Sequence, residues 1–186
     1  MKKLKAKIAT LLTLCILLCF PSMTASAALN GTHWTSVPVT VYADRTLNAQ
    51  EISQLKAAIN IWNSTRVGTV LVFGGQHTAI FGAGIDSLNS VGKAPLASID
   101  DLAKTVTNTF SGTPDIIREV DIIVNSNITF GTGSSGNPNL TSVFVHELGH
   151  LLGLAHNSDP SSIMYSQYTG NTQPNANDIN DLDSLY

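Results

Sequence analysis

His146-Glu147-Leu148-Gly149-His150-Leu151-Leu152-Gly153-Leu154-Ala155-His156 is the stretch whose reading decides the fold. On an α-helix, residues four apart lie one turn above each other on the same face. His146 and His150 can therefore aim two imidazoles at one point. His156 would lie about three turns further along a straight helix and could not reach that point. Gly153 supplies the break, because a residue without Cβ can turn the chain sharply in the left-handed conformation. The segment predicts a helix that ends at Gly153 and a return that brings in a third imidazole.

Three neutral imidazole nitrogens with an open fourth position are the donor set of a catalytic zinc site, with Zn–N distances of about 2.0–2.1 Å. Glu147 projects about 100° around the helix from His146, beside the ion and not on it. Its carboxylate is placed to act as general base towards a zinc-activated water that attacks an amide carbonyl. Three histidines, the glutamate and the glycine falling in register by chance is roughly a one-in-10⁵ event at average residue usage. A structural zinc site would more often use four closed ligands, commonly with cysteine, and would not need Glu147.

Outward from this stretch, Gly131 to Pro138 reads as a loop, and Asn139 caps the helix running to about Leu152. Upstream, Val37–Tyr42 reads as a strand with Pro38 at its start or on an edge. Asn48–Asn63 reads as a helix with a capping box to Glu51 and with Ile52, Leu55, Ile59 and Trp62 on one face. Thr69–Phe73 is a second strand, closed by Gly74-Gly75. Between Gln76 and Pro114 either Leu96–Ile99 or Thr105–Phe110 can form a strand. Val120–Val124 is apolar enough to be buried on both faces. Asn175 opens a last helix with Ile179, Leu182 and Leu185 inward. The order gives one α/β domain: a twisted mixed sheet, two core helices, an active-site cleft and a C-terminal helix.

The start of the chain is of another kind. Lys2, Lys3, Lys5 and Lys7 precede an apolar run, Ile8–Phe20, and Ala25-Ser26-Ala27 has the small-x-small pattern of a cleavage site. The run is shorter than the roughly 20 residues that span a bilayer, which favours a signal peptide over a membrane anchor. Residues 1–27 are thus expected to be a signal peptide and 28–186 the functional domain, secreted and monomeric. Cleavage would remove Cys15 and Cys19, the chain's only cysteines, and four of its ten Lys and Arg residues, leaving six against 13 Asp and Glu. A net charge of about −7 with no basic cluster argues against nucleic acid or an anionic membrane as partner.

The eleven-residue stretch resembles the HExxHxxGxxH signature of the metzincins. Ser162-Ile163-Met164-Tyr165 is similar to their Met-turn, whose methionine forms an apolar floor beneath the metal. Within that group the chain is most similar to matrixins, loosely over nearly all of residues 28–186 and specifically over Asn139–Tyr186. Asn139, Leu140 and Val143 precede His146 at the matrixin spacing. The resemblance implies that Tyr168 walls the pocket for the residue after the cleaved bond. It also implies that Asp178 hydrogen-bonds back to the Met-turn. It further implies one catalytic Zn²⁺ and protein or peptide substrates.

Departures from the matrixin pattern are present. Asn157 stands where serine is usual and Ser166 where proline is usual. Residues 169–174 are short for a specificity loop, which implies an open pocket. The second, structural zinc of matrixins needs more histidines than His33 and His77 provide, so these two are expected to be plain polar residues. For calcium no oxygen-rich cluster stands out; Asp86 and Asp100-Asp101 read as solvated turns. The expected activity is a zinc endopeptidase. Two other uses of such a scaffold remain open: a zinc-containing binding module, and a hydrolase of another amide or ester.

Overall fold

A computed structural model of the chain describes residues 30–66, 68–78, 85–133 and 136–186; the expected signal peptide, 1–27, lies outside them. Five strands and three helices follow in the order β1 (Val39–Asp44), α1 (Ala49–Ser64), β2 (Leu71–His77), β3 (Asn89–Ala94), β4 (Ala103–Phe110), β5 (Thr113–Asn125), α2 (Leu140–Leu151) and α3 (Ala176–Leu185). They form one mixed sheet of order β2-β1-β3-β5-β4, in which only the β4–β5 pair is antiparallel. This is the expected α/β architecture, with α1 and α2 as its core helices. No described helix is long and apolar enough to cross a membrane.

α1 forms where its caps and periodicity require. Asn48 accepts from the backbone N–H groups of Gln50 and Glu51, and Glu51 reaches back to the Asn48 N–H. Leu55, Ala58, Ile59 and Trp62 make the buried stripe. Trp62 is fully buried, and its indole N–H donates to Val145 O at 2.8 Å, tying α1 to the middle of α2. Truncating so large a buried side chain would cost about 3–5 kcal/mol.

One sequence expectation is corrected, one open choice is resolved and one strand is new. β2 does not close at Gly74-Gly75 but runs on to His77. A register shift opposite Val41/Tyr42 absorbs the glycines. Gly74 is there for space: a Cβ would lie 2.4 Å from a Tyr42 ring carbon. Leu96–Ile99 is not a strand; Ala103–Phe110 is, because it can pair antiparallel with β5. β3, Asn89–Ala94, was not anticipated, since its Gly92 and Lys93 break the apolar alternation. Its position between β1 and β5 supplies the missing pattern.

Val120, Ile122 and Val124 of β5 join the core, whereas Asp121 on the opposite face is 7% exposed. Burial first, then the negative charge of Glu119, pushes the Asp121 carboxyl up to about 6. The folded state thus binds this proton more tightly than the unfolded chain does. The associated stability is full below the ordinary value of 3.8 and is lost as pH rises through 6. Above that pH the buried charge is a penalty of about 1 kcal/mol after allowance for partial hydration. Asp121→Asn should therefore raise the melting temperature by roughly 2–4 °C at pH 8 and change little near pH 4. Melting curves at both pH values check this; an equal shift at each would refute the assignment.

Candidate metal centre and cleft

α2 starts at Asn139, whose side chain accepts from Thr141 N–H. It ends in a Schellman turn. Gly153 has φ 96°, its N–H donates to His150 O, and Leu154 N–H donates to Gly149 O. A Cβ on Gly153 would lie 2.4 Å from Thr32 O, so the turn also needs the close approach of the N-terminal segment. The last carbonyls of the helix are satisfied from both ends of the domain. Trp34 Nε1–H donates to Leu151 O, the Tyr186 hydroxyl to Leu152 O and Asn30 N–H to Gly153 O.

The return after Gly153 brings His156 back to His146 and His150. The three Nε2 atoms are 3.1–3.2 Å apart pairwise. His146 Nδ1 lies 2.7 Å from Ile163 O, and His150 Nδ1 lies 2.8 Å from Leu154 O. A carbonyl only accepts, so these Nδ1 atoms carry the protons and the Nε2 atoms present lone pairs. Lone pairs converging this closely repel unless a cation lies between them. Tetrahedral zinc at about 2.0 Å from each nitrogen would separate them by about 3.3 Å. The donor set fits zinc, and among the described residues it is the only convergent group of three metal-ligating side chains.

Burial, reinforced by His146, pushes the His150 ring down to about 3 and lowers His156 as well. Both rings stay neutral, the form a metal requires. Glu147 is 7% exposed; burial raises its carboxyl, while His146 and then the hydroxyl of Thr105 oppose the rise. Met164 is fully buried. Gly149 makes room for it, since a Cβ there would lie 2.3 Å from Met164 Sδ.

Asp178 is the hub that the resemblance implied. Its Oδ1 accepts from Ser162 Oγ at 2.5 Å and from Asn157 Nδ2 at 3.4 Å. Its Oδ2 accepts from Ile163 N–H at 3.0 Å and from Asn175 N–H at 2.9 Å. Since Ile163 O holds His146, α3 is linked to the triad through two hydrogen bonds. Asn157, unusual by its identity, belongs to this hub.

The site opens into a cleft of about 650 Å³. Ala103, Thr105 and Thr107 of the edge strand β4 form one wall, and the segment around Tyr165–Thr169 the other. Tyr168 lines it, its hydroxyl accepting from Asn139 N–H at 2.7 Å. The short loop is anchored by more than that: Ser142 Oγ donates to Asn171 O, and Asn171 Nδ2 donates to Pro160 O. Asp100 and Asp101 lie exposed on the cleft rim. His33 and His77 lie outside the triad; His77 Nε2 is 2.9 Å from Ser90 Oγ.

Thr105, Gly149 and Ser162 were not singled out from sequence. Gly149 carried a signal, as a glycine inside a helix costs about 1 kcal/mol and marks a close approach. Ser162 sat in the quoted Met-turn without a role. Thr105 lies 42 positions from Glu147, and only the fold brings them together.

The matrixin family model matches residues 38–186. Interstitial collagenase A of Mus musculus is 48% identical over 58 residues, which are 30% of this chain and 12% of that protein. Neutrophil collagenase of Homo sapiens is 44% identical over 59 residues, 30% of this chain and 13% of its own length. Human matrilysin is 42% identical over 59 residues, 29% of this chain and 22% of that protein. The chain thus spans only a small part of these relatives. With the family model covering most of its length, the chain belongs to the matrixin family.

Proposed function

We propose that this chain is a secreted zinc-dependent endopeptidase, with His146, His150 and His156 holding the ion and Glu147 as general base. The observation that supports the reading best is the convergence of three imidazole nitrogens beside a buried carboxylate. Zinc in such a site supplies Lewis-acid chemistry, lowering the pKa of water from 15.7 towards about 7 and polarising a carbonyl. The protein's own part is positional. An extended substrate adds to the free edge of β4 by main-chain hydrogen bonds, with the residue after the cleaved bond directed towards Tyr168. Glu147 takes a proton from the attacking water and passes it to the leaving amide nitrogen.

Export is proposed from the basic start, the short apolar run and Ala25-Ser26-Ala27. The domain is taken to act as a monomer on protein or peptide substrates. Two of the relatives named above are collagenases; which protein this chain cuts is set by its own cleft.

Glu147→Ala should retain one zinc per chain, measured by elemental analysis, and lose hydrolysis of a peptide library by several orders of magnitude, about 10³-fold or more. A strong chelator should stop the native enzyme, and added zinc should restore it. Turnover undiminished in Glu147→Ala would end the mechanism.

Asp178→Ala should strip Ser162 Oγ, Ile163 N–H and Asn175 N–H of their acceptor, a cost of about 2–4 kcal/mol. Zinc affinity should fall by about 10–100-fold as His146 loses its fixed orientation. Unfolding curves and competition with a coloured chelator measure the two effects. Native values for both would show Asp178 to be a bystander.

A further inference from the structure

Thr105 Oγ1 donates to Glu147 Oε2 at 2.5 Å, and among the described residues this is the hydrogen bond that the carboxylate receives. Thr105 sits within β4, paired opposite Ile122 of β5, and not on a loop. Antiparallel pairing sends Ala103, Thr105 and Thr107 to the cleft wall, the face that α2 approaches with Glu147. A β-branched side chain on a paired strand has little rotamer freedom, so the hydroxyl is presented from a fixed place.

Glu147 lacks this rigidity. Its terminal torsion is broad, and without a partner its two oxygens would exchange freely. The hydroxyl can donate to Oε2 in both states of the carboxyl, since the bare carboxylate oxygen and the carbonyl oxygen of an acid protonated at Oε1 both accept. The contact can persist while a proton arrives and leaves.

The geometry points to Thr105 as the positioning residue of the general base: it fixes Oε2 and leaves Oε1 as the oxygen that exchanges the proton. This assignment rests on the endopeptidase reading. The proton that Oε1 takes from water departs with the amine product, so Thr105 gains and loses none.

The test uses the zinc-loaded full-length protein and its Thr105→Val, Thr105→Ser and Thr105→Ala variants, with Glu147→Gln as a spectroscopic reference. On a fluorogenic peptide, Thr105→Val and Thr105→Ala should lower kcat by about 10–100-fold, with KM, zinc content and melting temperature close to native. Thr105→Ser should recover most of the rate. Independently of turnover, the Glu147 carboxylate stretch, isolated as the infrared difference against Glu147→Gln, should shift in Thr105→Val and return in Thr105→Ser. Native kcat and an unmoved band in Thr105→Val overturn the assignment while leaving the endopeptidase standing. A rate loss that tracks lost zinc or lowered melting, unrescued by serine, overturns it too. A native protein that holds zinc and cuts no peptide removes the endopeptidase reading and this assignment with it.

Discussion

Three imidazole nitrogens gathered at one point are the constraint around which this domain is built. The three Nε2 atoms lie 3.1–3.2 Å apart, and those of His146 and His150, whose protons are committed to backbone carbonyls on the far side, repel in the absence of a cation. Something must hold the rings in that arrangement, and two backbone carbonyls help to do so. Leu154 O exists in its place because the helix ends in a Schellman turn. Ile163 O exists in its place because Asp178 binds the neighbouring N–H from α3. His146 and His150 are thus each oriented by a piece of backbone whose own conformation is separately enforced. That is how outer hydrogen bonds set a metal ligand's tautomer and direction.

The same logic ties the site to the ends of the described domain. The carbonyls of Leu151, Leu152 and Gly153 would be left unsatisfied where α2 stops, and a buried unsatisfied carbonyl is costly. Trp34, Tyr186 and Asn30 satisfy them, so the N-terminal segment and the C-cap residue of α3 close over the point where the chain turns towards His156. Destabilising either end loosens the turn, and the turn carries the third imidazole. The stability of the fold and the geometry of the triad share these hydrogen bonds.

How much of this was legible in the sequence depended on separation along the chain. His146, Glu147, His150, Gly153 and His156 fall within eleven residues, where helix geometry and the freedom of glycine are enough to build the site. The caps at Asn48, Asn139 and Asn175 are equally local and formed where expected. β3 was invisible because Asn89–Ala94 lacks alternation and is a strand by virtue of its neighbours. The choice between Leu96–Ile99 and Ala103–Phe110 needed the partner strand β5. Thr105 could not be found at all, as nothing in its surroundings in sequence refers to Glu147. The shortness of the loop after Met164 was legible from its length, but not its anchoring by Ser142, Asn171 and Tyr168 across the start of α2.

Burial acts on the two kinds of titratable group here in opposite directions, and both serve one end. For imidazole it disfavours the charged form, which keeps His150 and His156 neutral and able to ligate. For a carboxylate it also disfavours the charged form, which raises Glu147 and makes it a stronger base. A nearby dication would pull the carboxyl the other way, towards the weaker base that an exposed glutamate already is. Desolvation therefore offsets the ion's pull, so that a carboxylate beside a metal can still accept a proton near neutral pH. A more open pocket would weaken both effects together: rings that protonate more readily, and a glutamate that is a weaker base. The apolar packing of α2 against α1 and the sheet thus helps to set the chemistry of the cleft as well as to hold the fold.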